Sequence, residues 1–183
     1  MDPKIDPNAR LTLITGPVRS GKTRLAVQWA TSFPIPRAYI ATAQNLDDEM
    51  AERIRRHQEE RNSAFLTIEE PLAITSQIEK LMNHCSIVVV DCLTLWISNL
   101  LGGMGEDRQA ILQETEAFLG ILKRLETSVV LIGNEVGWGI VPENPLARTF
   151  RDLSGKLQQE IARIADQVIL MVAGIPMIVK GNL

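Results

Sequence analysis

Eight consecutive residues near the start of the chain have the types and spacing of a phosphate-binding loop. The segment Gly16-Pro17-Val18-Arg19-Ser20-Gly21-Lys22-Thr23 matches the pattern G-x-x-x-x-G-K-[ST] at every fixed position. The two glycines let backbone N–H groups turn inward around phosphate oxygens. Lys22 would reach the β- and γ-phosphates of a nucleoside triphosphate, and the Thr23 hydroxyl would bind Mg²⁺. All eight residues are therefore predicted to bind a nucleotide.

The segments on either side of this loop support that prediction. An apolar run at residues 11–15 precedes it and a helical pattern at residues 25–30 follows it. A strand, a loop and a helix in this order are the context in which the pattern is specific. The alternative, a tight strand-to-helix turn that carries a surface lysine, does not account for all the fixed positions.

Asp91 is a candidate for the second acidic element of such a site. It ends the continuous apolar run at residues 87–90, which is typical of a parallel strand buried on both faces. Ligands of open α/β sheets bind at the carboxyl ends of the strands. Asp91 is therefore predicted to hold Mg²⁺ together with Thr23. Alternatively, or in addition, it caps a helix that starts at Leu93.

A charged helix is predicted at residues 47–61, and its inward stripe includes His57. Arg53 and Arg61 lie one turn away on either side. Two nearby cations disfavour the imidazolium form, so His57 would be a neutral nucleophile, and the arginines could hold the phosphate that it attacks. The spacing alone also allows a core histidine on a solvated, salt-bridged helix.

A glycine-rich segment at residues 133–142 follows another apolar run directly. It is predicted to be a loop on the ligand side of the sheet that closes over a large substrate. A plain connector is the alternative. The candidate residues for this substrate loop and the helix after it are Asn134, Glu135, Gly137, Arg148, Arg151 and Asp152.

Composition bounds the class of protein. The chain has 183 residues, of which 45% are hydrophobic, and a net charge of −3. The length and the apolar content predict one domain, and with the phosphate-binding loop we expect a P-loop nucleotide-binding catalytic domain at residues 10–183 after a disordered leader at residues 1–9. The charge predicts no nucleic-acid partner, and the lack of an 18-residue apolar stretch predicts no stable membrane insertion. Cys85 and Cys92 flank an apolar run and match no metal spacing, so we expect core thiols in a reducing cytoplasm.

Strand and helix signals alternate along the chain, which predicts βαβ units. The expected fold is an α/β P-loop NTPase fold of the RecA-like type, with a mostly parallel central sheet and helices on both faces. Residues 175–180 could add an antiparallel edge strand. The other predicted strands are at residues 11–15, 38–42, 65–68, 86–91, 128–133 and 168–172. The helices predicted after residue 61 are at 72–82, 93–101, 108–125 and 145–165, with a break at the glycine-rich residues 102–105.

From about Leu11 to Lys180 the chain resembles the bifunctional adenosylcobinamide kinase/adenosylcobinamide-phosphate guanylyltransferase family of cobalamin biosynthesis. Besides the phosphate-binding loop, the resemblance rests on residues 39–43, 47–57, 134–142 and 148–155. It implies two reactions. ATP or GTP phosphorylates the aminopropanol hydroxyl of adenosylcobinamide, and GTP then guanylylates a histidine that passes GMP to the new phosphate.

The resemblance also implies roles for single residues. His57 would carry GMP, and Lys22, Arg53 and Arg61 would stabilise charge on the transferring phosphate. Further nucleotide contacts are implied at Thr42, Ala43, Gln44, Gln58, Glu59, Glu60, Arg61, Glu69 and Asp91. Members are typically homotrimers. This chain departs from the family pattern at Gln158-Gln159, where the family often has Asn-Gln, and Trp138 is bulkier than expected.

Two other classes of function fit part of the sequence. A single-function P-loop kinase for another small molecule would leave His57 without a covalent role. A non-catalytic nucleotide switch would use Asp152-Leu153-Ser154-Gly155 as the D-x-x-G motif of GTPases. That segment, however, falls within a helical pattern, and no N-K-x-D motif is present to recognise guanine.

Overall fold

The computed structural model describes residue 6 and residues 8–44, 64–103 and 107–181. Within these residues, strands and helices alternate around one central sheet. The strands are β1 (Leu11–Thr15), β2 (Arg37–Ala41), β3 (Leu66–Glu69), β4 (Ile87–Asp91), β5 (Ser128–Ile132), β6 (Gln167–Val172) and β7 (Ile175–Lys180). The helices are α1 (Lys22–Ala30), α2 (Ile74–Leu81), α3 (Leu93–Gly103), α4 (Arg108–Leu122) and α5 (Pro145–Ile164).

The sheet has the order β3-β2-β4-β5-β1-β6-β7. The pairs among β1 to β6 are parallel, and β7 pairs antiparallel with β6. This confirms the predicted fold class, including the antiparallel edge strand. Because β5 lies between β1 and β4, the three strands end side by side at one edge of the sheet.

The sheet is buried on both faces. Leu13 belongs to the apolar cluster on one face, and its neighbour Ile14 belongs to the cluster on the other. Side chains of α2, α3, α4 and α5 fill the first cluster, where Trp96 packs on Phe118 with ring centroids 4.8 Å apart. Helix α1 covers the second cluster through alanines such as Ala26. Burial on both faces explains why the strands are continuous apolar runs.

Local hydrogen bonds determine where several helices begin. Asn144 caps α5 by accepting from the N–H groups of Leu146 and Ala147, as is typical of this residue type. Helix α2 begins two residues later than predicted because the Glu70 carboxylate accepts from the N–H groups of Leu72 and Ala73. Burial opposes ionisation of Glu70, but these N–H groups and nearby side chains hold its pKa below the ordinary value.

The remaining elements compare with the sequence predictions as follows. Helix α3 continues through Gly103, so the glycines do not end it at residue 101. Helix α4 ends at Leu122 rather than at residue 125. The predicted helix at residues 47–61 lies outside the described residues, and the boundary between leader and domain stays a prediction. No helix in the described part of the chain has the length and apolar character needed to cross a membrane.

Both cysteines are buried and unpaired, as predicted. Cys85 lies before β4, and Cys92 follows it. Burial raises the pKa of the Cys85 thiol. Burial, with a contribution from the negative charge of Asp91, raises the pKa of Cys92 to about 12. Both thiols are therefore protonated in the folded protein near pH 8. The thiolate is the reactive form of cysteine, so protonation makes both side chains unreactive.

We expect neither thiol of the native protein to react rapidly with a disulfide reagent at pH 8, because burial both protonates and shields them. Unfolding in guanidinium chloride should expose two reactive thiols per chain. The absorbance of released thionitrobenzoate measures both states. A fast reaction of one thiol per chain in the native protein would contradict the burial of Cys85 or Cys92, and single Cys→Ser variants would identify which.

Candidate active site at the carboxyl edge of the sheet

The phosphate-binding loop connects β1 to α1 and depends on its two glycines. Gly16 and Gly21 have φ angles of +141° and +94°, which side chains other than glycine's rarely allow. A Cβ atom at Gly16 would also lie 2.4 Å from the backbone oxygen of Met171 in β6. The loop is therefore packed directly against the neighbouring strand, with Gly21 as the N-cap residue of α1.

Lys22 folds back over this loop. Its side chain is buried, and Nζ donates to the backbone oxygens of Gly16 at 2.9 Å and Pro17 at 2.5 Å and to Ser20 Oγ at 3.3 Å. The ammonium group thus lies inside the ring of residues predicted to surround phosphates. A cation at this place, next to the N-terminal end of a helix, suits an anionic ligand.

Asp91 lies beside the same helix. Its Oδ2 atom accepts hydrogen bonds from Thr23 Oγ1 at 2.8 Å and from the Tyr39 hydroxyl at 2.5 Å. The two residues predicted to hold Mg²⁺ are therefore in contact, although 68 positions separate them. Among the described residues, no N–H group of α3 donates to the Asp91 carboxylate, so the capping alternative is not what the side chain does. Hydroxyl and carboxylate oxygens are the donors that Mg²⁺ prefers.

Thr42 fastens the end of β2 to the segment after Asp91. Its hydroxyl accepts from the N–H of Cys92 and donates to the Cys92 carbonyl, both at 2.8 Å, and Thr42 is fully buried. The hydroxyl hydrogen of Thr42 is committed to Cys92, so this hydroxyl could contact a nucleotide only as an acceptor. Ala43 and Gln44 follow at the same edge, where Glu69 ends β3 opposite Ala41.

The glycine-rich loop after β5 starts against the phosphate-binding loop. Thr15, the last residue of β1, donates its hydroxyl hydrogen to Glu135 Oε1 at 2.6 Å or to Gln158 Oε1 at 2.8 Å. The N–H of Glu135 donates to the carbonyl of Gly16 at 3.1 Å. Gln158 Nε2 in turn donates to the backbone oxygen of Asn134 at 3.1 Å. Hydrogen bonds thus join β1, this loop and α5.

The rest of the loop borders an open groove of about 580 Å³ against α5. Arg151 and Asp152 line it, with a 3.5 Å contact between their charged atoms. Arg148 donates to the carbonyls of Pro142 and Glu143 and so holds the end of the loop. At the tip, Trp138 is 70% exposed, so it does not pack on the described part of the protein.

The structure thus brings together some of the predicted residues and leaves others aside. The phosphate-binding loop, Asp91, Asn134 and Glu135 lie at one edge, and Arg151 and Asp152 line the adjoining groove with Gly137. The residues His57, Arg53, Arg61, Gln58, Glu59 and Glu60 lie outside the described part of the chain. Residues 152–155 lie within α5, as the helical pattern predicts.

Sequence reasoning did not find three residues that contact the candidate site. Tyr39 donates to Asp91 and Thr15 donates to Glu135, whereas Gln158 of α5 contacts Thr15 and the backbone oxygen of Asn134. Tyr39 and Thr15 occupy strand positions whose types are ordinary for buried strands. The resemblance to the family supplied two signals: Tyr39 begins one of its motifs, and Gln158, where this chain departs from the pattern, lies at a polar contact.

The fold and the loop define a P-loop nucleotide-binding protein, and solved structures agree. The flagellar accessory protein FlaH from Methanocaldococcus jannaschii has a TM-score of 0.54 at 15% identity, covering 94% of this chain and 79% of that chain. The RadB recombinase has a TM-score of 0.50 at 19% identity, covering 87% and 73%. At these identities the likeness shows the fold alone.

Sequence comparison identifies the family. The family model described as "Cobinamide kinase / cobinamide phosphate guanyltransferase" matches residues 12–179. The bifunctional adenosylcobalamin biosynthesis protein CobP of Pseudomonas aeruginosa is 42% identical over 170 residues, which cover 93% of this chain and 97% of that protein. CobU of Escherichia coli, with the same description, is 38% identical over 181 residues, covering 93% and 99%. The chain belongs to this family, whose members are transferases.

The close contact between Gly133 and Gln158 can be tested by measuring the free energy of unfolding of variants. A Cβ at residue 133 would lie 2.3 Å from Gln158 Oε1, and Gln158 cannot move without losing its bonds to Thr15 and Asn134. We expect Gly133→Ala to lower the free energy of unfolding by roughly 1–3 kcal/mol. The midpoint of urea unfolding at constant m-value measures this.

Gly120→Ala is the matched control, because Gly120 lies inside α4 with nothing within 4 Å of its added Cβ. This change should stabilise the protein by roughly 0.5–1 kcal/mol. In a Gln158→Ala background the cost of Gly133→Ala should shrink. An unchanged cost in that background would show that the clash is not with Gln158.

Proposed function

We propose that this protein phosphorylates adenosylcobinamide with ATP or GTP and then transfers GMP from GTP, through a guanylylated His57, to form adenosylcobinamide-GDP. The observation that carries the proposal is the contact between Thr23 of the phosphate-binding loop and Asp91. It occurs in a chain whose family is described by both activities.

In the first reaction the chain's own residues bind and orient the triphosphate. Backbone N–H groups of the phosphate-binding loop, in which Pro17 has none, surround phosphate oxygens, and Lys22 is placed among them by its bonds to Gly16 and Pro17. Because phosphoryl transfer depends mainly on positioning and on stabilising charge, a rigid loop of this kind supplies much of what catalysis needs. Thr42, Ala43, Gln44 and Glu69 are proposed to border the nucleotide at the same edge.

Thr23 and Asp91 are the residues proposed to hold Mg²⁺. Their oxygens suit a hard cation, and Tyr39 holds the carboxylate in place. When bound, Mg²⁺ neutralises negative charge on the phosphates and on the pyrophosphate leaving group.

In the second reaction His57 attacks the α-phosphate of GTP and releases pyrophosphate. A neutral imidazole is the nucleophilic form, and the flanking Arg53 and Arg61 favour it. The GMP group then passes to the phosphate of adenosylcobinamide phosphate. We propose that Gln58, Glu59 and Glu60 lie close to the nucleotide, since they adjoin His57 on the same predicted helix.

The glycine-rich loop and the groove beside it are proposed to take the corrinoid. An open groove that combines exposed apolar side chains with charged ones suits a large ring that carries amide groups. Trp138 and Ile140 are 70% and 97% exposed at the tip of the loop, and Arg151 and Asp152 offer hydrogen bonds from α5. Exposed apolar side chains in a cluster are typical of interaction sites.

We further propose that the protein works as a homotrimer in the cytoplasm. Two free, buried thiols suit a reducing compartment. Ile175, Met177 and Val179 are exposed at alternate positions along the edge strand β7, where an apolar row favours contact with another chain. Light scattering after size exclusion should give three times the chain mass, and Met177→Glu should lower it. The mass of a monomer for the wild type would refute the trimer.

The covalent intermediate has a direct test. Incubation with GTP labelled at the α-phosphate should give acid-labile labelled protein, and mass spectrometry should find GMP on His57. His57→Ala should lose the label and the final product but still phosphorylate adenosylcobinamide, because the first reaction does not use the histidine.

His84→Ala is the control, since the chain has two histidines. It should keep the label. Absence of label from the wild type while phosphorylation proceeds would leave a single-function kinase as the correct description. Label that persists in His57→Ala would refute His57 as the residue that carries GMP.

A further inference from the structure

We propose that Glu135 is the general base of the kinase reaction and accepts the proton of the attacking hydroxyl. The inference rests on the proposed function, to which it adds a catalytic residue. Its basis is the place of the Glu135 carboxylate beside the phosphate-binding loop and the hydrogen bonds that hold it there.

Glu135 lies beside the phosphate-binding loop. The backbone N–H of Glu135 and Lys22 Nζ both donate to the carbonyl oxygen of Gly16, at 3.1 and 2.9 Å. The backbone of Glu135 therefore lies next to Lys22, which is expected to bind the β- and γ-phosphates. A base for phosphoryl transfer has to lie close to the γ-phosphate, because that is where the substrate hydroxyl attacks.

The loop that carries Glu135 leads into the open groove. Gly137, two residues beyond Glu135, lines the open groove against α5. The same loop therefore joins the Glu135 carboxylate, which lies beside the phosphate-binding loop, to the groove that is proposed to take the substrate. Asp91, the other carboxylate beside the loop, already accepts from Thr23 and Tyr39 on one oxygen, which suits a metal ligand better than a proton acceptor.

The hydrogen bonds around the Glu135 carboxylate suit both of its protonation states. Thr15 has one hydroxyl hydrogen and two acceptors, Glu135 Oε1 at 2.6 Å and Gln158 Oε1 at 2.8 Å. Gln158 keeps its oxygen towards Thr15 because its Nε2 donates to Asn134. While Glu135 is a carboxylate, Thr15 donates to it. Once Glu135 is protonated, it can donate to Thr15, which then donates to Gln158. The same heavy-atom arrangement therefore accommodates the base before and after proton transfer.

In the proposed step the proton, the phosphoryl group and the leaving group each have a defined destination. The hydroxyl oxygen of the aminopropanol arm forms a bond to the γ-phosphorus, and its proton passes to Glu135 Oε. The bond between the γ-phosphorus and the β,γ-bridging oxygen breaks, and the nucleoside diphosphate leaves with the electron pair. Glu135 then releases the proton to solvent, and Thr15 donates to it again.

The second reaction has no use for this base. Its nucleophiles are the imidazole of His57 and the phosphate monoester of adenosylcobinamide phosphate, whose second pKa of about 6 leaves it ionised at pH 7.5. Neither has to lose a proton to a protein carboxylate at this position. Loss of Glu135 should therefore separate the two activities of one active site.

The experiment compares Glu135→Gln with wild type in two separate assays on the full-length protein. One supplies adenosylcobinamide and ATP, and the other supplies adenosylcobinamide phosphate and GTP. The substituted amide keeps the size of the side chain, and its oxygen can still accept from Thr15. We expect kcat of the kinase reaction to fall about 10²- to 10⁴-fold, the usual contribution of a general base, with little change in KM. The rate of GMP transfer should stay at the wild-type value.

Glu126→Gln is the matched control, because Glu126 is exposed in the bend before β5, at the opposite edge of the sheet from the phosphate-binding loop. It should leave both rates unchanged.

Two outcomes would overturn the inference: a kinase rate near that of wild type in Glu135→Gln, or an equal loss of both reactions. An equal loss would assign Glu135 to the architecture of the site rather than to proton transfer. If the wild-type protein phosphorylates no adenosylcobinamide, the proposed function fails, and this failure is seen without any variant.

Discussion

The candidate chemistry depends on one constraint, the parallel arrangement of β1, β5 and β4. Parallel neighbours end at the same edge of the sheet, so the phosphate-binding loop, the loop that begins with Asn134 and Asp91 meet there. Burial of the sheet on both faces stabilises this arrangement, because a shift in register would move apolar side chains out of both clusters. Because the two apolar clusters stabilise the fold, the loops at this edge can contain polar residues and glycines that serve the site.

Within this edge the two carboxylates have different surroundings. Asp91 receives two hydroxyl hydrogens on one oxygen and contacts the first turn of α1 through Thr23. Glu135 shares one hydroxyl hydrogen with Gln158 and lies on the chain segment that leads into the groove. Phosphoryl transfer requires one group that holds a cation and another that handles the nucleophile. The two environments correspond to these two requirements.

The buried lysine and the buried glutamine illustrate how tightly the site is built. Lys22 bonds to the loop that precedes it, so the helix and the loop support each other. Gln158 occupies the space that a side chain at Gly133 would need and bonds to both neighbouring segments. A buried amide that has both ends hydrogen-bonded costs little and restricts the geometry around it. The position at which the sequence departs from the family pattern therefore lies in the structural support of Glu135.

Much of the fold could be predicted from the sequence. The order of strands and helices and the contact between Thr23 and Asp91 followed from apolar runs, from the motif and from the rule that ligands bind at carboxyl ends. The errors were at helix ends, where single side chains decide. Glu70 delays α2 by bonding two N–H groups that the apolar pattern assigns to the helix. Trp138, which is bulkier than expected from the family pattern, is 70% exposed, so most of its surface does not pack on the described protein.

The sequence by itself determined the class of ligand and the sequence of elements, because both depend on patterns within about ten neighbouring residues. Tertiary structure decided which polar groups surround each carboxylate. Tyr39 reaches Asp91 across 52 positions, and Thr15 reaches Glu135 across 120. Contacts of this range are made by strands and helices that pack side by side only after folding, so no local spacing encodes them. The difference between the surroundings of Asp91 and those of Glu135 is therefore a property of the folded chain.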